Sequence, residues 1–220
     1  MIHSCKQENL LYRTFLSSRY WFSIVFLLIL LLGNIPAQSS TQVESANQLI
    51  NNMIKDVESY LDSDSGDINK RTANITKLLD NHFDLPGIAR FSAGPYWRAA
   101  TKGERITYTL TMRDVLIGTI VRNFDQLAGL SFTITSSQAK GDKMVLVRGT
   151  FEDKMGNRSP ISVGWRITTP NSSPAKVLDV EIENISMLVT QKQENIAIIR
   201  KNAGRFAALI ETMKKRQKTQ

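Results

Sequence analysis

The 220-residue chain contains one cysteine, Cys5, and two histidines, His3 and His82. From Gln38 onward it has no cysteine, so that part has no disulfide, no thiol nucleophile and no thiolate metal ligand. No cysteine follows the N-terminal apolar run, which argues against a lipid-anchored lipoprotein. One histidine, His82, is left beyond that run, and one cannot make a paired-histidine metal site. The chain has no G-x-S-x-G elbow, no phosphate-cradling G-x-x-x-x-G-K, no G-x-G-x-x-G and no H-E-x-x-H. Asp62 to Asp67 has the look of a calcium loop, but Asp67 stands where such a loop needs glycine. Ala73 stands where it needs a bidentate glutamate, so the stretch reads as a helix-capping linker. Internal repeats and low-complexity tracts are absent as well.

The longest apolar run, Trp21 to Leu32, is broken only by Ser23. It is short of the roughly 20 residues that a membrane-spanning helix needs. Lys6, Arg13 and Arg19 precede it, and Gly33-Asn34-Ile35-Pro36-Ala37 follows it. This is the layout of a secretory signal peptide, so residues 1–37 are expected to be cleaved and residues 38–220 to form a single domain. From Gln38 on, 25 basic side chains stand against 19 acidic ones, a net charge of +6. Lys214, Lys215, Arg216 and Lys218 gather at the end, where a basic tail is either solvated or faces anionic head groups or an acidic partner. Nucleic acid is a poor partner for an exported chain.

What is present centres on Phe83 to Arg105. Phe83, Leu85, Ile88, Phe91, Tyr96 and Trp97 fall within fifteen residues, interrupted by Pro86, Gly87, Gly94 and Pro95. The spacing predicts a short helix, a bend and the start of a long helix, which Thr101 and Glu104 open as a capping box. Helices are predicted over Val43–Leu61, Ile68–Asn81, Glu104–Leu127 and Gln193–Lys215 from apolar residues at three- and four-residue intervals. Between the last two, Ser131–Ser137, Lys143–Phe151, Ile161–Thr168 and Lys176–Glu183 alternate as four antiparallel strands. Val145, Val147, Val163, Trp165, Ile167, Leu178, Val180 and Ile182 lie on the apolar face, and Asp179 and Glu181 on a wet one. Gly149 and Gly164 inside strands suggest bulges and strong curvature. The apolar sheet face, the long helix and the last helix must converge. The pattern does not separate a filled core from a cavity.

Three segments resemble the MlaC-like, toluene-tolerance family of periplasmic phospholipid-binding proteins. They are FDLPGIARFSAGPYWRAAT from Phe83, the strand ending Val163-Gly164-Trp165-Arg166, and Lys176 to Met187. The likeness runs from about Val43 to Met213. It departs at Asn184, where the family has glycine, at Ile120, where a tyrosine is common, and at Thr190–Gln193, where a Tyr-Arg pair is common.

The resemblance implies an α+β fold: a curved four-stranded antiparallel sheet packed against several helices and enclosing an apolar cavity. It implies a soluble, periplasmic, non-enzymatic carrier whose only bound group is phospholipid cargo. Its implied partners are an inner-membrane ABC-transporter lipid complex and an outer-membrane lipoprotein complex. The expected cavity wall is Trp97, Leu116, Ile120, Phe124, Val147, Val163, Trp165, Ile182, Ile185, Ile199 and Phe206. Two alternatives stand beside this reading. One is an isomerase- or hydratase-type enzyme with a buried carboxylate as base, and the other is an interaction module with a filled core.

Overall fold

The computed structural model describes residues 37–170 and 173–219. The expected signal peptide therefore lies outside the described residues apart from Ala37. Helix α1, Ala37–Asp62, is followed by α2, Ile68–His82, whose N-cap Asp67 accepts from the amides of Asn69 and Lys70. The acidic loop thus ends in a helix cap, as its sequence implies. The aromatic stretch folds as α3, Leu85–Ser92, and the single turn α4, Tyr96–Ala99. Gly94, at φ 58°, makes the bend between them in a conformation that side-chain-bearing residues resist. The long helix α5, Lys102–Asn123, opens with the expected box: Thr101 N–H donates to Glu104 at 2.8 Å, and Glu104 N–H donates to Thr101 Oγ1 at 3.2 Å. Its last predicted turn tightens into a 3-10 turn, Phe124–Leu127, before Gly129 at φ 76°.

The sheet corrects the sequence expectation on two counts. It has five strands: β1 (Leu130–Ala139), β2 (Met144–Asp153), β3 (Ile161–Thr168), β4 (Lys176–Ile182) and β5 (Ile185–Ser186). All neighbours are antiparallel in the order β1-β2-β3-β4-β5. The fifth strand exists because Glu183 and Asn184 take positive φ, 50° and 64°, and turn the chain back on itself for two residues. Asparagine tolerates that conformation better than most, so the missing family glycine does not prevent the turn.

Nor is the sheet curved. It is an open meander whose outer strands, β1 and β5, do not pair with each other. Its irregularities are two register shifts, between Ile134 and Ser136 and between Arg166 and Ile167. Gly149, read from sequence as a source of curvature, instead permits close packing. A Cβ there would sit 2.3 Å from the Phe132 ring and 2.5 Å from the Thr133 carbonyl oxygen.

The predicted final helix is two. Helix α6, Met187–Lys201, and α7, Phe206–Thr219, are separated by Ala203 and Gly204 at φ 56° and 78°. Ala203, which falls at the helical spacing of Ile196, Ile199, Phe206 and Ile210, is exposed at that break. Helical periodicity continues across the break because both helices bury the same spacing, so pattern alone does not reveal it.

Two clusters of buried side chains result. The first lies between the sheet and α1, α2 and the C-terminal half of α5, and includes Ile50, Ile75, Leu79, Val121, Phe124, Val145, Val147, Trp165, Ile167 and Val177. The second is helical, built from α3, α5, α6 and α7 around Tyr108, Met112, Ile199, Phe206 and Leu209. Leu116 packs against both. Where the sequence reading expects an enclosed apolar cavity, between sheet and helices, the side chains of the first cluster are buried against one another.

Candidate functional site

Strand pairing places the sheet's helix-facing residues in rows. Val145, Ile167 and Val177 form one row, and Val147, Trp165 and Val180 the next. Gly149, Val163, Ile182 and Ile185 form the third, and Phe132, Phe151 and Ile161 the last. Burial falls along this series. The first row is completely covered, and Val147 and Trp165 are buried. In the outer rows Ile161, Ile182 and Ile185 are 39%, 41% and 58% exposed. Met187, the first residue of α6, is exposed beside them. One apolar surface therefore runs without a break from solvent to the centre of the sheet-side core.

Aromatic rings occupy the middle of that surface. Phe132 and Phe151 lie 4.8 Å apart, and Phe132 meets Trp165 edge-on at 6.2 Å. The Trp165 Nε1 hydrogen is buried with no hydrogen-bond partner. Native interiors rarely leave a donor in that condition, so it marks a strained or adaptable spot. Phe132 and Phe151 each alternate with polar neighbours in their strands, but that alternation does not mark them as members of this group. What could have shown it is Gly149, whose missing side chain lets the Phe132 ring lie over the strand.

The expected wall residues divide between the two clusters. Leu116, Ile120, Phe124, Val147, Val163 and Trp165 come together on the sheet side. Trp97, Ile199 and Phe206 lie in the helical cluster, again with Leu116 at the boundary. Trp165 and Phe206 are thus in different clusters, and the Phe206 ring instead meets Tyr108 edge-on at 5.4 Å. Ile182 and Ile185 stand at the solvent end of the sheet face. Trp97 is half-buried, with the Arg105 guanidinium over its ring.

Sequence reasoning missed a polar triad in the helical cluster. Ser92 Oγ and Tyr108 OH are 2.7 Å apart, and Asn195 Nδ2 donates to Tyr108 OH at 2.8 Å and to the Ser92 carbonyl at 3.2 Å. All three residues are fully buried. Burial raises the Tyr108 pKa to about 12, against the lowering effect of its hydrogen bonds to Ser92 and Asn195. Ser92 and Asn195 sit among apolar residues at helical spacing, where a lone small polar residue gives no sequence signal of its own.

Asp179 and Glu181 are not on a wet face. Both are buried, because α6 returns over that side of β4. Asp179 accepts from Ser186 Oγ at 2.5 Å and from Leu188 N–H at 2.9 Å, which fixes the first turn of α6. Glu181 accepts from Arg166, whose guanidinium also lies 3.5 Å from Asp179. These acids are committed to structural partners on the face opposite Val163 and Trp165, a poor arrangement for a base acting on a ligand there. His82 pairs with Asp56 at 2.8 Å. Among the described residues no cluster of His, Cys, Asp and Glu could hold a metal, and no helix is long and apolar enough to cross a membrane.

A separate groove of about 270 Å³ opens between α5 and α7. Val115, Gly118 and Met213 form its floor, and Asp114, Arg122 and Arg216 stand on its rim.

These features define an α+β protein whose candidate site is one apolar sheet face, closed at its inner end and open at its outer end. The chain belongs to the MlaC family: the family model described as MlaC protein matches residues 47–215. Among solved structures it is similar to a phospholipid-binding protein from Ralstonia solanacearum, determined in complex with a phospholipid. The identity is 18%, the match covers 78% of this chain and 96% of that one, and the TM-score is 0.68, a likeness of fold. No curated protein matches the chain.

Proposed function

We propose that the protein is a periplasmic, non-enzymatic phospholipid carrier. Cleavage of residues 1–37 would release it to shuttle lipid between an inner-membrane ABC-transporter complex and an outer-membrane lipoprotein complex. The observation that carries this reading is the continuous apolar face from exposed Ile161, Ile182 and Ile185 to buried Val163 and Trp165. Membership of the MlaC family and the phospholipid held by the Ralstonia solanacearum protein support it.

Each methylene removed from water gains about 0.8 kcal/mol, so a sixteen-carbon chain is worth on the order of 12 kcal/mol. A free phospholipid therefore does not cross an aqueous compartment unaided. A face as apolar as the bilayer makes pickup and release nearly neutral, and direction then comes from the membrane partners. On this reading acyl chains enter at Ile182 and Ile185 and take space now filled by side chains around Phe132, Val163 and Trp165. Leu116, Ile120, Phe124 and Val147 line the sheet side of that path, and Trp97, Ile199 and Phe206 its helical border.

Native mass spectrometry after gentle purification tests the proposal. A co-purifying mass in the phospholipid range is the expected result. A protein that stays empty after incubation with phospholipid vesicles would overturn it.

A further inference from the structure

Beyond Ala37 the net charge is concentrated in one place. From Gln38 to Ile199 there are 18 basic and 18 acidic side chains, and from Arg200 to Gln220 there are seven basic and one acidic. The whole +6 of the chain beyond Ala37 thus belongs to its last 21 residues. In the fold, Arg200, Lys201 and Arg205 surround the α6–α7 turn, and Lys214, Lys215 and Arg216 sit near the far end of α7. All six are exposed. Among the described residues Arg200, Lys201, Arg205 and Lys214 form no ion pair, and Arg216 has a loose one to Glu194 at 3.8 Å. Helix α7 buries Phe206, Leu209, Ile210 and Met213, which turns Glu211, Lys214 and Lys215 outward. Its 14 residues span roughly 20 Å, so the cations form a strip rather than a point.

We propose that this strip docks the protein on an anionic phospholipid bilayer. Charge complementarity gives the sign of the partner, and composition gives its kind. Protein interfaces are centred on aromatic or aliphatic anchors and are depleted in lysine. Among the described residues no large exposed apolar side chain lies beyond Met187, and lysine supplies three of the strip's six described cations. Long cationic stems without an apolar anchor suit adsorption to a diffuse anionic surface. The groove floored by Val115, Gly118 and Met213 opens beside Arg216 and is amphipathic in the same sense as a lipid head group with its first methylenes. The strip runs from the end of α6 along α7, and its cations are exposed side chains, whereas the residues assigned to the lipid path on these helices, Ile199 and Phe206, are buried.

The test is co-sedimentation of the full chain with vesicles of phosphatidylcholine alone or phosphatidylcholine with phosphatidylglycerol. Binding should require phosphatidylglycerol and should be released by 0.5 M salt, about fivefold for each screened contact. An apolar N-terminal segment would produce neither dependence. R200Q/K201Q/R205Q/K214Q should lower binding by roughly 600-fold, about fivefold for each of the four cations removed. K102Q/K140Q/K143Q/K154Q makes the same change in net charge at exposed sites elsewhere and should keep most of the binding. Equal loss in both variants, salt-insensitive binding, or no preference for phosphatidylglycerol would overturn the proposal. Retention on an acidic polypeptide with no binding to phosphatidylglycerol vesicles would overturn it in favour of an acidic protein partner. None of these outcomes depends on whether the sheet face carries lipid.

Discussion

The sheet-side and helical cores of this protein treat their polar atoms in opposite ways. In the helical core Tyr108, Ser92 and Asn195 are fully buried and satisfy one another. Such a network costs little when complete and fixes how α3, α5 and α6 meet. On the sheet side the Trp165 indole N–H and the Thr169 hydroxyl are buried with no partner, and the apolar face runs out into solvent at Ile182 and Ile185. The contrast teaches where each task resides. The helical core is specified by directional bonds and resists rearrangement. The sheet-side core is held by non-directional burial, the kind of packing that the proposed carrier function would have acyl chains replace.

The sharpest way to break this comparison is to put a charge into the sheet-side core. Val163→Glu should destabilise the protein by on the order of 4 kcal/mol and abolish lipid co-purification, because the carboxylate has no partner there. Ser162→Glu, on the exposed opposite side of β3, should change stability by no more than about 0.5 kcal/mol and keep the lipid. Urea unfolding and native mass spectrometry read both effects. Equal behaviour of the two variants would contradict the strand register.

Trp165→Ala comes next. The ring is buried in the sheet-side cluster, so the lipid-free variant should lose about 3–5 kcal/mol. Added phospholipid should raise the Tm of the wild type through linkage and raise that of the variant less. A full Tm shift in the variant would remove Trp165 from the lipid path.

Tyr108→Phe should cost about 1–3 kcal/mol, since Ser92 and Asn195 each lose a partner, and should leave lipid loading unchanged. It also carries a pH signature. The folded pKa of about 12 lies above the ordinary value of 10, so the folded state holds the phenol proton more tightly. The stability this gives is complete below pH 10 and declines by roughly 1.4 kcal/mol per pH unit as pH rises toward 12. The difference between wild type and Tyr108→Phe should therefore shrink over that window. A constant difference would place the phenol in water.

The smallest effect on stability, and an informative one for function, belongs to the outer rows. Ile182→Asn and Ile185→Asn should each alter stability by no more than about 0.5 kcal/mol, because both positions are exposed. Lipid loading should fall nonetheless. Full loading in the double variant would move the opening of the lipid path away from the β4–β5 turn.

The amino-acid sequence by itself determined the local features. Thr101 and Glu104 cap α5, Asp67 caps α2, and alternation places Val145, Val147, Val163 and Trp165 on one side of their strands. It also carried enough family pattern to point to MlaC. These signals are local because caps and two-residue periodicity depend only on neighbours in the chain.

Tertiary structure decided the rest. Asp179 and Glu181 alternate like wet-face residues, yet α6 folds back over them, and no period within β4 encodes that return. Ala203 continues a helical stripe that the backbone interrupts at φ 56°. Glycines that suggested a curved sheet serve an open one, because whether a missing Cβ makes room for a bend or for the Phe132 ring depends on what packs against it. The division of the apolar residues into two cores was likewise beyond the sequence. Hydrophobicity drives burial without specifying a partner, and geometry alone sends Trp165 to Phe132 and Phe206 to Tyr108.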